Sequence, residues 1–141
     1  MAYPNAYQQY QETQVFTASR GQLLLMTYDG AIRFVTQARG HMASKSYELQ
    51  NDCIIKAQRI LLELISTLDS KASPDLAWRL TQLYEYLFNR LVEANVSDNV
   101  EALDEVRSRL VELRTTWADA DRKLSSPPPE TSRGLHATAS A

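Results

Sequence analysis

Apolar residues recur along most of the chain at alternating intervals of three and four, which is typical of α-helices that bury one face. The pattern covers about residues 19–42, 46–68, 74–94 and 98–124, with short breaks between them. Short breaks between helices of this length make antiparallel neighbours, and a three-four seam favours the small crossing angles of a bundle. We therefore expect an all-α protein, an antiparallel four-helix bundle. The seam positions are Leu24, Tyr28, Ala31, Val35, Ala38 and Met42; Ile54, Ala57, Leu61, Leu64 and Leu68; Leu76, Leu80, Leu83, Leu87 and Leu91; and Leu103, Val106, Leu110, Leu113, Trp117, Ala120 and Leu124.

Helix-start signals mark three of the four segments. Ser19 with Gln22 three residues later forms a capping box for the first helix. Ser73 precedes Pro74, which suits the first position of a helix because its missing N–H has no partner there anyway. Asp98 together with Glu101 is the capping signal that we predict for the fourth helix, with Asp98 as the capping residue.

The chain divides into three parts. Residues 17–124 are the bundle, residues 1–16 a short N-terminal capping or lid segment, and residues 125–141 a disordered tail. The N-terminal segment carries Tyr3, Tyr7 and Tyr10 at intervals of four and three, which suits a helical turn laid on an apolar surface. The tail holds too little apolar area to offset its ordering entropy.

The first helix is more apolar than a bundle helix requires. Its apolar positions sweep an arc of roughly 200°, whereas an amphipathic helix needs about 100° or somewhat more. We expect Leu24, Ala31, Val35 and Ala38 to face the core, and the alternative is that the whole arc is core. The positions that we place on the flanks, as candidates for contact with a partner, are Leu23, Leu25, Tyr28, Ile32 and Phe34.

Two polar features of this helix have structural explanations. Gly30 stands inside the helix, where glycine costs about 1 kcal/mol relative to alanine. Its expected use is the close approach of another backbone. Asp29 and Arg33 are spaced to pair along a solvated face.

Composition narrows the classes of function. The net charge of -2 argues against nucleic-acid or anionic-membrane binding, which needs a basic surface. The N-terminus has neither the basic nor the apolar region of a secretory signal, and no apolar run could cross a bilayer. We expect a cytoplasmic protein that neither inserts into membranes nor binds nucleic acid.

Catalytic or metal-binding clusters are not evident, so we expect a protein that is not an enzyme. Cys53 adjoins a seam position and is expected to be a buried, inert thiol. The alternative function is a histidine phosphotransfer module, also a four-helix bundle, built on one exposed histidine. His41 with Lys45 is the candidate, but His41 falls at the end of a helix, where a solvated structural residue is expected.

The N-terminal block resembles the signature of the flagellin-specific export chaperones of the FliS family. The matching residues are Tyr7 and Tyr10, Thr17-Ala18-Ser19, Leu23, Met26 and Tyr28-Asp29-Gly30-Ala31, followed by weaker matches that include Leu83-Tyr84 and Trp117. The resemblance covers about residues 2–124. Arg20 replaces the family's usual proline, and Thr27 replaces a leucine, which changes the composition of one contact surface.

The resemblance implies a cytoplasmic chaperone that binds the C-terminal segment of flagellin. Such a chaperone prevents premature polymerisation and delivers its client to the flagellar type III export apparatus, using no nucleotide, metal or other cofactor. The lid bearing Tyr7 and Tyr10 then covers part of the client surface when the client is absent. Tyr84 and Tyr86 point to different sides of the third helix, so at least one is expected to be exposed as an aromatic contact. We expect a monomer or weak homodimer.

Overall fold

The computed structural model describes residues 20–125. This part of the chain folds into four antiparallel helices and contains no strand, which confirms the predicted fold class. The predicted lid and nearly all of the predicted tail, together with Ser19, lie outside the described residues. The helices are α1 (Arg20–Ala43), α2 (Tyr47–Ser66), α3 (Pro74–Ser97) and α4 (Val100–Ser125).

The helices surround one core in cyclic order, so that α1 packs on α2 and α4 while α3 lies diagonally across from it. Large side chains from every helix, such as Tyr28, Ile54, Leu87 and Leu103, are fully buried there. No helix within residues 20–125 combines the length and apolarity needed to cross a membrane.

The connections between helices are tight, and two of them use left-handed backbone. Lys45 has φ 59° between α1 and α2, and Asp98 has φ 52° between α3 and α4. Ser73 and Pro74 begin α3 as predicted, although the serine side chain makes no capping hydrogen bond. The predicted cap of α4 is wrong by one residue. Asp98 closes α3, and it is the Asn99 Oδ1 that accepts the Ala102 N–H at 3.2 Å.

The predicted seam of α3 is partly wrong. Leu76 is 46% exposed and Leu83 is only partly buried, whereas Ala77 and Tyr84 lie in the core. Leu76-Leu80-Leu83 and Ala77-Leu80-Tyr84 both satisfy a three-four period, so periodicity did not distinguish them. The helix is rotated toward the seam that contains Tyr84, because its hydroxyl finds a partner inside the bundle.

The second helix begins with a buried polar side chain that the apolar pattern did not reveal. Gln50 is 1% exposed, and its Nε2 donates to Asp98 Oδ1 at 3.0 Å and to Asn95 Oδ1 at 3.3 Å. These bonds join the start of α2 to the turn between α3 and α4. Cys53 is buried as predicted, and burial raises the pKa of its thiol.

Gly30 is buried against a side chain, so the expected approach of another backbone is wrong. A Cβ built at Gly30 would lie 3.4 Å from the Ile60 Cδ1, the flexible end of a side chain on α2. The expected Asp29–Arg33 pair is also replaced. Asp29 binds Arg114 of α4, while the Arg33 guanidinium lies over the Phe34 ring at 5.4 Å.

We predict that Gly30→Ala stabilises the bundle by up to about 1 kcal/mol, because alanine favours the helix and Ile60 needs to move little. Urea unfolding followed by circular dichroism measures the change. Gly40→Ala is the matched control in the same helix, since a Cβ there meets nothing within 4 Å. A loss of stability in Gly30→Ala alone would show that the Ile60 contact cannot relax.

Candidate docking surface

The outer groove between α1 and α4 is crossed by charged bridges. Arg114 binds both carboxylate oxygens of Asp29, at 2.6 and 3.3 Å, and Arg39 binds Asp104 at the same two distances. Arg107 Nε donates to the Thr36 hydroxyl at 2.9 Å between them. Exposed ion pairs add little stability, but an apolar partner laid over them would have to desolvate their charges.

The groove between α3 and α4 is closed in a similar way around Glu105. Its carboxylate accepts from Arg90 Nε at 2.7 Å and from the Tyr86 hydroxyl at 2.5 Å. The hydrogen bond from Tyr86, followed by that from Arg90, lowers the pKa of Glu105. The same contact with Glu105 raises the pKa of Tyr86. Both grooves beside α4 therefore present paired charges.

The two grooves beside α2 differ, because no ion pair within residues 20–125 joins α2 to α1 or to α3. Between α1 and α2, the Phe34 ring is flanked by Arg33 and by Lys56 at 5.5 Å. Between α2 and α3, Gln58 Nε2 reaches the Phe88 carbonyl at 3.5 Å, and α2 carries the exposed Leu62. These two grooves can accept apolar groups without desolvating an ion pair.

A cavity of about 980 Å³ opens at one end of the bundle, where the start of α1, the end of α2 and the start of α3 meet. Drug-sized ligands fill cavities of about 300–1,000 Å³, so this one has room for several side chains. The charged side chains that line it are Arg20, Glu63 and Asp69. The remaining wall is mostly apolar. It contains the polar side chains of Thr27, Thr67 and Ser73 and the apolar ones of Leu23, Leu24, Met26, Leu64, Leu68, Ala72, Leu76, Ala77, Leu80, Tyr84 and Trp117.

A buried hydrogen-bond network adjoins this cavity. The hydroxyls of Tyr28 and Tyr84 are hydrogen-bonded across the core, and the Trp117 indole N–H donates to the Tyr28 oxygen at 3.1 Å. Burial raises the pKa of both tyrosines. Three helices thus meet through polar atoms that have little access to solvent.

Periodicity divides the flank residues of α1 between two sides. Leu25 and Ile32 lie on the same face of α1 as Asp29 and Arg39, because the four positions follow one helical period. Asp29 and Arg39 bind residues of α4, so this face of α1 is turned toward α4. Ile32 also packs against the core cluster.

Leu23 and Phe34 lie on the other side of α1, toward α2. Leu23 lines the end cavity, and the Phe34 ring is approached by Lys56 of α2. The structure therefore separates these two residues from Leu25 and Ile32 on the opposite flank.

The predicted flank position of Tyr28 is wrong. Tyr28 is 0% exposed and Tyr84 is 1% exposed, because their hydroxyls pair inside the bundle. Tyr86 is 46% exposed, in agreement with the prediction that Tyr84 and Tyr86 point to different sides of the helix. Its hydroxyl binds Glu105, so Tyr86 lies in the groove between α3 and α4. Tyr7 and Tyr10 lie outside the described residues.

Sequence reasoning missed Met26, Leu68 and Leu76 as members of an apolar cavity. Leu68 and Leu76 had been assigned to the core seam, and Met26 to neither face. Leu68 lies in the break between α2 and α3, at residues 67–73, and Leu76 in the first turn of α3, so both line the cavity beside this break.

The comparisons with known proteins decide the family. The family model described as flagellar protein FliS matches residues 3–124. The chain belongs to the FliS family.

Three relatives in this family share between 30% and 38% of their aligned residues with this chain. The flagellar secretion chaperone FliS of Bacillus subtilis is 35% identical over 120 residues, which cover 85% of this chain and 89% of that protein. The flagellar secretion chaperone FliSB of Pseudomonas aeruginosa is 38% identical over 116 residues, which cover 79% of this chain and 92% of that protein. The flagellar secretion chaperone FliS of Salmonella typhimurium is 30% identical over 115 residues, which cover 81% of this chain and 85% of that protein.

A crystal structure of a bacterial flagellar chaperone has the same fold. It matches with a TM-score of 0.70 at 19% identity, over 84% of this chain and 96% of that one. Membership of the FliS family supports a flagellar export chaperone role, and the relatives are named as chaperones, not enzymes. Family membership supports the chaperone prediction over the alternative of a histidine phosphotransfer module. The candidate histidine of that alternative, His41, lies in the last turn of α1.

We predict that Tyr28→Phe destabilises the bundle more than Tyr84→Phe does. The first leaves the Trp117 N–H without its acceptor and the Tyr84 hydroxyl without its partner, while the second leaves the Tyr28 hydroxyl bonded only to Trp117. An unsatisfied buried group costs about 1–3 kcal/mol. The expected loss in the free energy of unfolding is therefore about 2 kcal/mol or more for Tyr28→Phe and about 1 kcal/mol for Tyr84→Phe. Urea unfolding measures them, with the exposed Tyr47→Phe as a control that changes stability by less than about 0.5 kcal/mol.

Alkaline pH provides a second readout of the same pair. Because the folded-state pKa values lie above the ordinary value of 10.0, the unfolded chain releases protons that the folded chain retains. The contribution of the pair is fully present below pH 10 and declines as the pH rises above it. Tyr84→Phe should flatten this decline, and equal slopes in variant and wild type would contradict the burial of the pair.

Proposed function

We propose that this chain is a cytoplasmic chaperone that binds the C-terminal segment of flagellin, prevents its premature polymerisation and delivers it to the flagellar export apparatus. The observation that carries the proposal is the mostly apolar end cavity, at the end of the two grooves beside α2. Within residues 20–125, no ion pair bridges these grooves. A client segment with spaced apolar side chains could place one group in the cavity and others along these grooves. Membership of the FliS family supports flagellin as that client.

The arrangement suits recognition of an unfolded client by an apolar surface. A disordered segment that orders on binding loses conformational entropy, so it needs a large contact area to bind. Burial of apolar surface supplies about 25 cal/mol per Å², and the cavity provides a concave part of that area. The paired charges beside α4 would limit the apolar contact to the other half of the bundle.

Of the candidate contacts named from sequence, Leu23 and Phe34 fit this surface best. They lie toward α2, with Leu23 in the wall of the cavity. We add Met26 and Leu76, which are 45% and 46% exposed in that wall. Leu25, Ile32 and Tyr86 lie beside the paired charges of α4 and would serve a client that extends over that side.

We predict that Leu76→Glu weakens flagellin binding about tenfold or more, because it places a charge in a contact that becomes desolvated. The fold should persist, since an acidic residue in the first turn of α3 suits the helix dipole. Calorimetric titration with a synthetic flagellin C-terminal peptide measures the affinity.

The matched control is Val111→Glu on α4, which is 37% exposed and lies outside the cavity wall. Its affinity for the peptide should stay within about twofold of the wild-type value. Equal losses in the two variants would argue against the cavity as the client site, and loss only in Leu62→Glu would move the site to the groove between α2 and α3.

We further propose that residues 1–16 form a lid, bearing Tyr7 and Tyr10, over part of the client surface. Arg20, the first described residue of α1, lines the cavity, so a lid formed by the preceding segment would be attached next to it. A lid of this kind would compete with the client and protect apolar side chains in the free chaperone.

Deletion of residues 1–16 should increase the binding of a hydrophobic dye and lower stability by about 2 kcal/mol, the discounted burial of two tyrosines. Client affinity should fall by less than that, or rise, because competition is removed. Deletion of residues 126–141 is a control of equal length that should change neither quantity. Unchanged dye binding after the N-terminal deletion would exclude a lid.

A further inference from the structure

The hydrogen-bond network beside the cavity contains one more donor hydrogen than it has hydrogen bonds within residues 20–125. The Trp117 indole and the Tyr28 and Tyr84 hydroxyls each bring one donor hydrogen. Two hydrogen bonds join the three groups, one from Trp117 to Tyr28 and one between the tyrosines. Among residues 20–125, no further hydrogen bond is made by either hydroxyl, so one hydroxyl hydrogen has no acceptor there.

The cavity determines which proton has access to an acceptor. Both tyrosines are almost fully buried, but only Tyr84 is part of the cavity wall. If Tyr84 donated to Tyr28, the spare hydrogen would belong to Tyr28, away from that wall. If Tyr28 donates to Tyr84, the network runs in one direction and the spare hydrogen belongs to Tyr84, which lines the cavity. Only the second arrangement places the spare hydrogen on a residue of the cavity wall. An unsatisfied buried donor is costly, so this arrangement favours an acceptor supplied by an occupant of the cavity.

We infer that Tyr84 is a client-recognition residue whose hydroxyl donates to a backbone carbonyl of the flagellin segment in the cavity. This inference rests on the function proposed above. An extended segment carries carbonyls with no partner of their own, and such an acceptor is present in every sequence. A neutral acceptor also fits the charge of the cavity, whose wall holds Glu63 and Asp69 against one cationic side chain, Arg20.

The contribution of Tyr84 can be separated from its structural role by comparing two variants. Tyr84→Phe removes the donor, so affinity for a synthetic flagellin C-terminal peptide should fall about three- to tenfold, as for one hydrogen bond. Tyr28→Phe breaks both bonds of the network but keeps the Tyr84 hydroxyl, so affinity should change by less than about twofold. The order of the two variants in binding is thus opposite to their order in stability.

A purely structural role would give the same order in both measurements, with Tyr28→Phe the more damaging variant. That result would overturn the inference, as would unchanged or increased affinity in Tyr84→Phe. If the wild-type chain fails to bind the peptide, the proposed function fails instead, so the two failures are distinguishable.

Ester substitution along the peptide tests the acceptor without changing the chaperone. An ester carbonyl accepts hydrogen bonds more weakly than an amide carbonyl, so one position should lower the affinity of the wild-type chain. The same position should have no such effect on Tyr84→Phe, whose circular dichroism spectrum confirms that it is folded. Equal losses for both chains at every position would overturn the assignment of the carbonyl.

Discussion

The hydrogen bond between the Tyr28 and Tyr84 hydroxyls lies across the diagonal of the bundle and determines how its helices are rotated. A buried hydroxyl without a partner is costly, so α1 and α3 must both turn these tyrosines inward. Trp117 joins α4 to the same pair through its indole N–H. The apolar spacing of α3 is compatible with two overlapping seams, and the hydrogen bond of Tyr84 inside the bundle favours the seam that contains it.

This rotation has consequences at the surface. Turning Tyr84 into the core moves Leu76 to the outside at the start of α3, where it lines the end cavity with Leu23 and Met26. The polar network therefore supports the core and forms part of the cavity wall. Side chains that look like surplus apolar surface in the sequence become the wall of a concave site.

Electrostatics divides the rest of the surface into two halves. The arginine–carboxylate bridges from α4 cover its grooves with α1 and α3, while α2 carries no bridge to either neighbour within residues 20–125. Desolvation of paired charges is costly, whereas apolar side chains gain free energy when they are covered. Under the proposed function, this division would direct an apolar client to the α2 side, although no single bridge contributes much to stability.

The three-four spacing of apolar residues was sufficient to predict four helices, their approximate bounds and their antiparallel packing, because helical period and turn chemistry are local properties. The same local signals indicated that α3 begins at Pro74 and that Cys53 is buried. They did not decide between two overlapping seams on α3, nor predict that Asp29 would bind Arg114 instead of Arg33. Those outcomes depend on groups far apart in the chain. The partner of a buried hydroxyl or a charge, and the cavity where three helix ends meet, exist only once the four helices are packed together.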